Sequence, residues 1–312
     1  MNKYGSNLNT RTFLLAAVLA TLVTGCGQDA IFGSDGSGSS ANSGPGPAGS
    51  APALGAAAAF GGFGGGAGMT NQGASTVITG AQGQPVSIGT TGASTTMTGF
   101  HSNGVPYAPP AGCIYTEVAA TNIGAVSGAI NTAAPPPTVT CPNEGTAATK
   151  AIADQAALDA LAAFNALSPA ARPGATDPGA NLGGLTLAPG IYATASGAFL
   201  ITGSDLTLDA GGNANAVWVF QMASTLGVGA PGASRSIILA GGAQPKNVFW
   251  RVGSSATINP SGGGTMVGTI ISSAATTFGT AGNPCCITLN GRALALNASV
   301  TLVNTVINVP AP

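Results

Sequence analysis

The sequence predicts a mainly β protein: a solenoid of short stacked strands with one long α-helix packed alongside. Three observations carry this. Charged residues make up 5% of the 312-residue chain and hydrophobic ones 45%, while glycine supplies 49 positions; an ordinary soluble domain is about 25% charged. Apolar runs separated by Gly, Asn, Pro and Ser turns recur about every 20 to 30 residues in the C-terminal half, the mark of stacked repeating units. A single stretch, "EGTAATKAIADQAALDALAAFNALSPAARPG", breaks that pattern with helix-favouring residues.

In chain order, residues 1–25 have the make-up of an export signal. Lys3 and Arg11 precede "FLLAAVLATLV", an apolar stretch too short to span a bilayer securely, and "VTGC" follows. This resembles the lipobox of bacterial lipoproteins, in which Cys26 is lipidated; a plain signal peptide cleaved further along is the other reading. Gly27, rather than Asp, implies outer-membrane sorting by the same resemblance. Residues 26–53 are rich in Gly, Ser and Pro and hold nothing that could fill a core, so they form a tether. The folded domain is expected over 54–312.

Export permits disulfides. Cys113 and Cys141 flank one Pro-rich excursion, residues 100–142, and are the favoured pair. Cys285 and Cys286 are either a vicinal disulfide or two separate thiols. A metal site is not expected, with one histidine and no CxxC spacing.

The helix is expected over 146–168, starting at Asn143 or Thr146 and stopped by Pro169. Leu158, Leu161, Phe164 and Leu167 drift around a broad apolar sector, with alanines between them that allow close approach. Its length of about 30 Å matches about 29 Å for six rungs of stacked strands, so it can lie along the whole solenoid.

Two strand types alternate in the repeats. In "AVWVFQMASTL", "NVFWRVGSSATI", "MVGTIISSAATTF" and "GRALALNASVTL", the first run is apolar at both parities, as in Val217 to Phe220 and Val248 to Trp250. A strand apolar on both faces is buried on both, and the helix is the one spare element to cover it. In the second run the parities separate. Leu226, Ile258, Phe278, Val300 and Leu302 point inward, which leaves Ala223, Thr225 and Gly227; Ser255, Thr257 and Asn259; Ala275, Thr277 and Gly279; Ser299, Thr301 and Val303 outward. That face is uncharged and small, with threonine at its centre; Thr186, Thr207 and Thr288 extend the file or belong to a neighbouring side.

These segments, together with "LGAAAAFG" at the domain start and "LGGLTLAPGIY", run in an order that closely resembles the DUF3494 ice-binding-protein-like family over residues 54–308. The resemblance implies a discontinuous right-handed β-solenoid of triangular section and ice binding through one flat face. The proposed ice-binding residues are Thr225, Ser255, Thr257, Asn259, Thr277, Ser299 and Thr301. The chain departs from compact members in the 100–142 excursion, which would cap the solenoid, and in lacking a strict Thr-x-Thr ladder.

Other functions fit the residues less well. A net charge of −1 supplies no basic footprint for nucleic acid. Carboxylates are scattered: Asp154 and Asp159 on the helix, Asp177 in a loop, Asp205 and Asp209 at turns. Catalysis by paired acids is therefore not expected, nor is any cofactor. His101 is not expected to act as a catalytic base. Arg251 and Arg292 occupy matching positions in successive repeats, with Gln221 and Thr269, and are expected to hydrogen-bond at the solenoid edge or the helix seam. The expected partners are an ice surface and, through the lipid alone, a membrane, with the chain a monomer. The alternative is a non-catalytic surface adhesin or structural solenoid that meets a non-ice partner.

Overall fold

A computed structural model describes residues 49–102, 123–134 and 145–311. Every sheet pairing in it is parallel, and each turn of the chain adds one strand to each of three walls. The first wall stacks Gly190–Ala193, Trp218–Met222, Val248–Val252, the second halves of Thr265–Ser272 and Ile287–Ala295, then Phe60–Gly64, Ser87–Ala93 and Ile130–Ala133. The second wall stacks Phe199–Ile201, Leu226–Val228, Ala256–Ile258, Thr276–Phe278, Val300–Leu302, Met69–Asn71 and Met97–Thr98. The third comes in two sections, Thr186–Leu187 with Leu206–Asp209 and Ile237–Ala240, and the first halves of the two long strands with Thr305–Val309, Val77–Gly80, Gly124–Val126 and Phe100–Ser102.

Chain order and stacking order differ. The first strand, Phe60–Gly64, lies mid-wall, with Gly62 opposite Ala293 on one side and Ile88 on the other. The chain builds outward from there to Ile130–Ala133, crosses to the far end, and coils back. The helix, Ala147–Ala166, is that crossing. Eight strands leave seven gaps, about 34 Å in all, and a 20-residue helix reaches about 30 Å. Thr146 caps its start: its hydroxyl accepts from the Thr149 amide while the Thr149 hydroxyl accepts from the Thr146 amide. The Thr149 hydroxyl also donates to the Thr132 carbonyl at 2.7 Å, tying that end to the last strand of the wall.

The inward positions fill the core in register. Tyr192, Phe220 and Trp250 are successive partners, and Trp250 stacks on Phe220 at 4.0 Å and 6°. The two indoles are satisfied, Trp218 donating to the Leu187 carbonyl and Trp250 to that of Val267. The other parity of the same wall faces the helix: Ile191, Val219, Phe249, Ile271, Leu294 and Phe63 pack with Ala153, Ala156, Ala160 and Ala163. So "VFW" at 248–250 splits between two cores. Val248 and Trp250 point into the solenoid and Phe249 points under the helix.

The helix differs from its expected apolar sector. Phe164 and Leu167 are buried, but Leu158 is 62% exposed and Leu161 45%. The wall already carries the bulk, so alanine, not leucine, fits the narrow gap. Both long strands turn a corner at glycine. Gly268 has a φ of +97° and Gly291 lies opposite it, where a Cβ would collide with the Gly268 carbonyl.

The 100–142 excursion is in part integral to the stack, since Phe100–Ser102, Gly124–Val126 and Ile130–Ala133 are all paired strands. Residues 103–122 and 135–144, with Cys113 and Cys141, and the leader with Cys26, lie outside the described residues. Cys285 and Cys286 form a vicinal disulfide.

Packing at the seam yields a contrast. Ala160→Leu should destabilise by about 1–3 kcal/mol through overpacking, whereas Leu158→Gln should change stability by less than about 0.5 kcal/mol. Urea unfolding of both variants measures the difference.

Candidate functional site: an uncharged threonine wall

In the second wall the middle residue of each short strand points outward between two buried neighbours, as in Ala256–Thr257–Ile258. Successive register partners along this file are Leu200, Gly227, Thr257, Thr277, Thr301, Thr70 and Thr98. Five threonines therefore follow one another without interruption, spanning about 19 Å at 4.8 Å per rung. Thr257 and Thr98 are exposed and the other three are half-buried by their neighbours. The Thr98 hydroxyl donates to that of Thr70 at 3.2 Å, which fixes the rotamers at that end. The helix covers the first wall, not this one.

The register corrects three sequence expectations. Thr225 is exposed but not in the central file. Leu226 pairs with Ala256, not with Ile258, so Gly227 opposes Thr257 and Thr225 falls beside Ser255. Ser255 and Ser299 occupy that same flanking file, two residues before the central one, with Ala275 between them.

Asn259 does not face outward at all. It is fully buried with a φ of +46°, which ends strand alternation at Ile258. Its amide oxygen accepts from the Arg235 amide at 2.8 Å and its Nδ2 donates to the Arg235 carbonyl at 2.9 Å. Asn304 repeats the conformation and holds the Ser75 amide.

Arg251 and Arg292 are not matched positions either. Arg251 pairs with Ile271, whereas Arg292 pairs with Thr269, two residues away. Both do hydrogen-bond at the helix seam or wall edge. Gln221 donates to the Leu167 and Arg172 carbonyls at 3.0 Å, and Arg251 donates to Phe164 while lying 4.0 Å over its ring. The wall thus satisfies carbonyls that the helix C-terminus leaves open.

Thr70 and Thr98 were not singled out from sequence, although "GMTN" and "TMTG" carry the same apolar–Thr signal as "SVTL". Thr186 and Thr207 pair in the third wall, as does Thr288 with Val306, so none of these extends the file.

Carboxylates serve local structure. Asp205 accepts from the Ser236 amide, Asp209 from Gly211, and Asp177 from Gly179 and Ala195, which hold its pKa below the usual carboxylate range. Asp154 pairs with Lys150, and Asp159 accepts from the Ala56 amide, tying the domain start to the helix. Among the described residues no three metal-binding side chains cluster. No described helix is long and apolar enough to cross a membrane.

The Ice-binding-like family model matches residues 63–308. The chain belongs to that family. It is 39% identical over 187 residues to the ice-binding protein of Nostoc sp. (strain HG1), a match covering 60% of this chain and 63% of that one. The chain thus spans less than two thirds of that curated relative. Among solved structures it is similar to the DUF3494 domain of ice-binding protein 1 from Shewanella frigidimarina, with a TM-score of 0.62, 26% identity and coverage of 83% and 97%. The ice-binding protein of the Antarctic ascomycete Antarctomyces psychrotrophicus gives 0.60 and 29%, covering 84% of this chain and all of that one.

The buried and exposed members of the wall should separate on mutation. Asn259→Ala is expected to cost about 2–4 kcal/mol, from lost buried hydrogen bonds and the left-handed backbone. Thr257→Ala should cost less than about 0.5 kcal/mol. Chemical denaturation of the two variants is the check.

Proposed function

We propose that this chain binds ice through the threonine wall, as an antifreeze or ice-recrystallisation inhibitor, without catalysis and as a monomer. The observation that carries the reading is the unbroken file of Thr257, Thr277, Thr301, Thr70 and Thr98 on the uncovered wall. Ice presents hydroxyls and shallow apolar relief and no net charge. A threonine row answers both, with methyls that order adjacent water and hydroxyls that join its lattice. Branching at Cβ restricts χ1, and the parallel ladder holds the backbone, so little conformational freedom is lost on contact. A charged side chain would keep its own hydration shell, and neither the central nor the flanking file carries one. The right hand expected of the coils follows the usual chirality of parallel crossovers.

The protein is further proposed to be exported and lipid-anchored at Cys26, with residues 26–53 holding the domain off an outer membrane. An adhesin for a sugar partner draws less support, because the central file offers no aromatic platform.

Thr277→Tyr and Thr301→Tyr should each lower thermal hysteresis severalfold while leaving the circular dichroism unchanged; unaltered activity in both would sink the ice-binding wall. The double change Leu200→Thr and Gly227→Thr completes a seven-residue row and should raise activity. A Cβ at Gly227 meets only the mobile end of the Leu200 side chain, which the first change removes. For the anchor, Cys26→Ala should abolish incorporation of labelled palmitate and move the protein from the membrane to the soluble fraction. Unchanged membrane recovery would refute it.

A further inference from the structure

Two of the eight basic side chains of this sparsely charged protein line one cleft away from the threonine wall. It lies where the domain start meets the covered wall, has a volume of about 370 Å³, and contains Arg292, Lys246 and Asn215 on its polar side. Leu54, Phe249 and Pro310 supply an apolar side, and no Asp or Glu lines it.

Arg292 is the unusual member. It is 5% exposed, and its Nε donates to the Ala58 carbonyl at 3.0 Å. Among the described residues its two terminal NH2 groups meet no acceptor and no carboxylate pairs with it. A guanidinium has five donors in a fixed fork, and burying it without a counter-charge is unfavourable. Burial pushes its pKa down to about 10, which leaves it cationic at neutral pH. A protonated fork opening into a cleft that no described Asp or Glu lines is half of an ion pair.

We propose that this cleft binds a small organic carboxylate, gripped by the Arg292 fork. The bidentate match of guanidinium to carboxylate sets the head group. The apolar side sets the rest: Leu54 and Pro310 suit an aromatic or branched hydrocarbon body, which a free phosphate lacks. Leu54 precedes the 3₁₀ turn Gly55–Ala59, which Asp159 holds to the helix and Arg292 holds to the wall. A ligand there would join the domain start to a mid-stack strand and raise stability by linkage.

Calorimetric titration and thermal unfolding of the full chain with sodium benzoate test this, with benzamide and inorganic phosphate as comparison ligands. Benzoate should bind saturably in the millimolar range or tighter and raise Tm, whereas its neutral isostere benzamide should not. Arg292→Gln should weaken benzoate at least tenfold. Should Arg292→Gln unfold through loss of the Ala58 contact, Arg292→Lys keeps the charge, loses the fork, and should still weaken binding. The proposal is overturned if benzoate shows no saturable binding, if benzamide or phosphate binds as tightly, or if the folded Arg292 variant binds as the parent does.

Discussion

The parallel backbone ladder is the constraint on which everything else depends. Stacked strands must place equivalent residues directly above one another, and a slip of one residue would exchange the faces of a strand. Because that register holds along both files, one position builds the aromatic core column of Tyr192, Phe220 and Trp250 and another the file of threonines. The two are the same device, one facing inward from the first wall and the other outward from the second. A rigid interior column keeps the exterior one straight, and straightness is what a flat crystalline partner requires.

The covered wall obeys the same logic with different residues. Its outward positions carry Phe249, Phe63, Ile271 and Leu294, so the volume beneath the helix is supplied by the sheet. The helix answers with alanine and can approach closely. Two of its last carbonyls, of Leu167 and Phe164, are then met by Gln221 and Arg251 from the sheet below. A helix bound in this way is at once a crossing connection, a roof and a brace.

Much of this was legible from residue patterns. Strand type, the helix and its Thr146 start, the roofed wall and an uncharged threonine face all follow from periodicity and composition. What was not legible depended on register. "MASTL" looks as though Thr225 aligns with Thr257, but the inward residue opposite Leu226 is Ala256, a small core residue that does not announce itself. Asn259 continues the alternation on paper, and only its left-handed backbone withdraws it. Leu158 and Leu161 read as a core stripe because leucine is usually buried, and the sequence does not reveal that the opposing wall leaves room only for alanine. Thr70 and Thr98 were obscured by distance, being early in the chain yet stacked beyond its end.

That last arrangement bears on how the protein is made. Phe60–Gly64 is synthesised early, yet one of its two edges is completed by residues 293–295, about 230 residues further along. Until those arrive, the nascent product must carry an open, adhesive seam through its middle, and pairings so distant along the polymer close slowly. The stack therefore cannot close until that distant segment has been made, and a polypeptide of this design gains from whatever keeps neighbouring copies from zipping into the gap first.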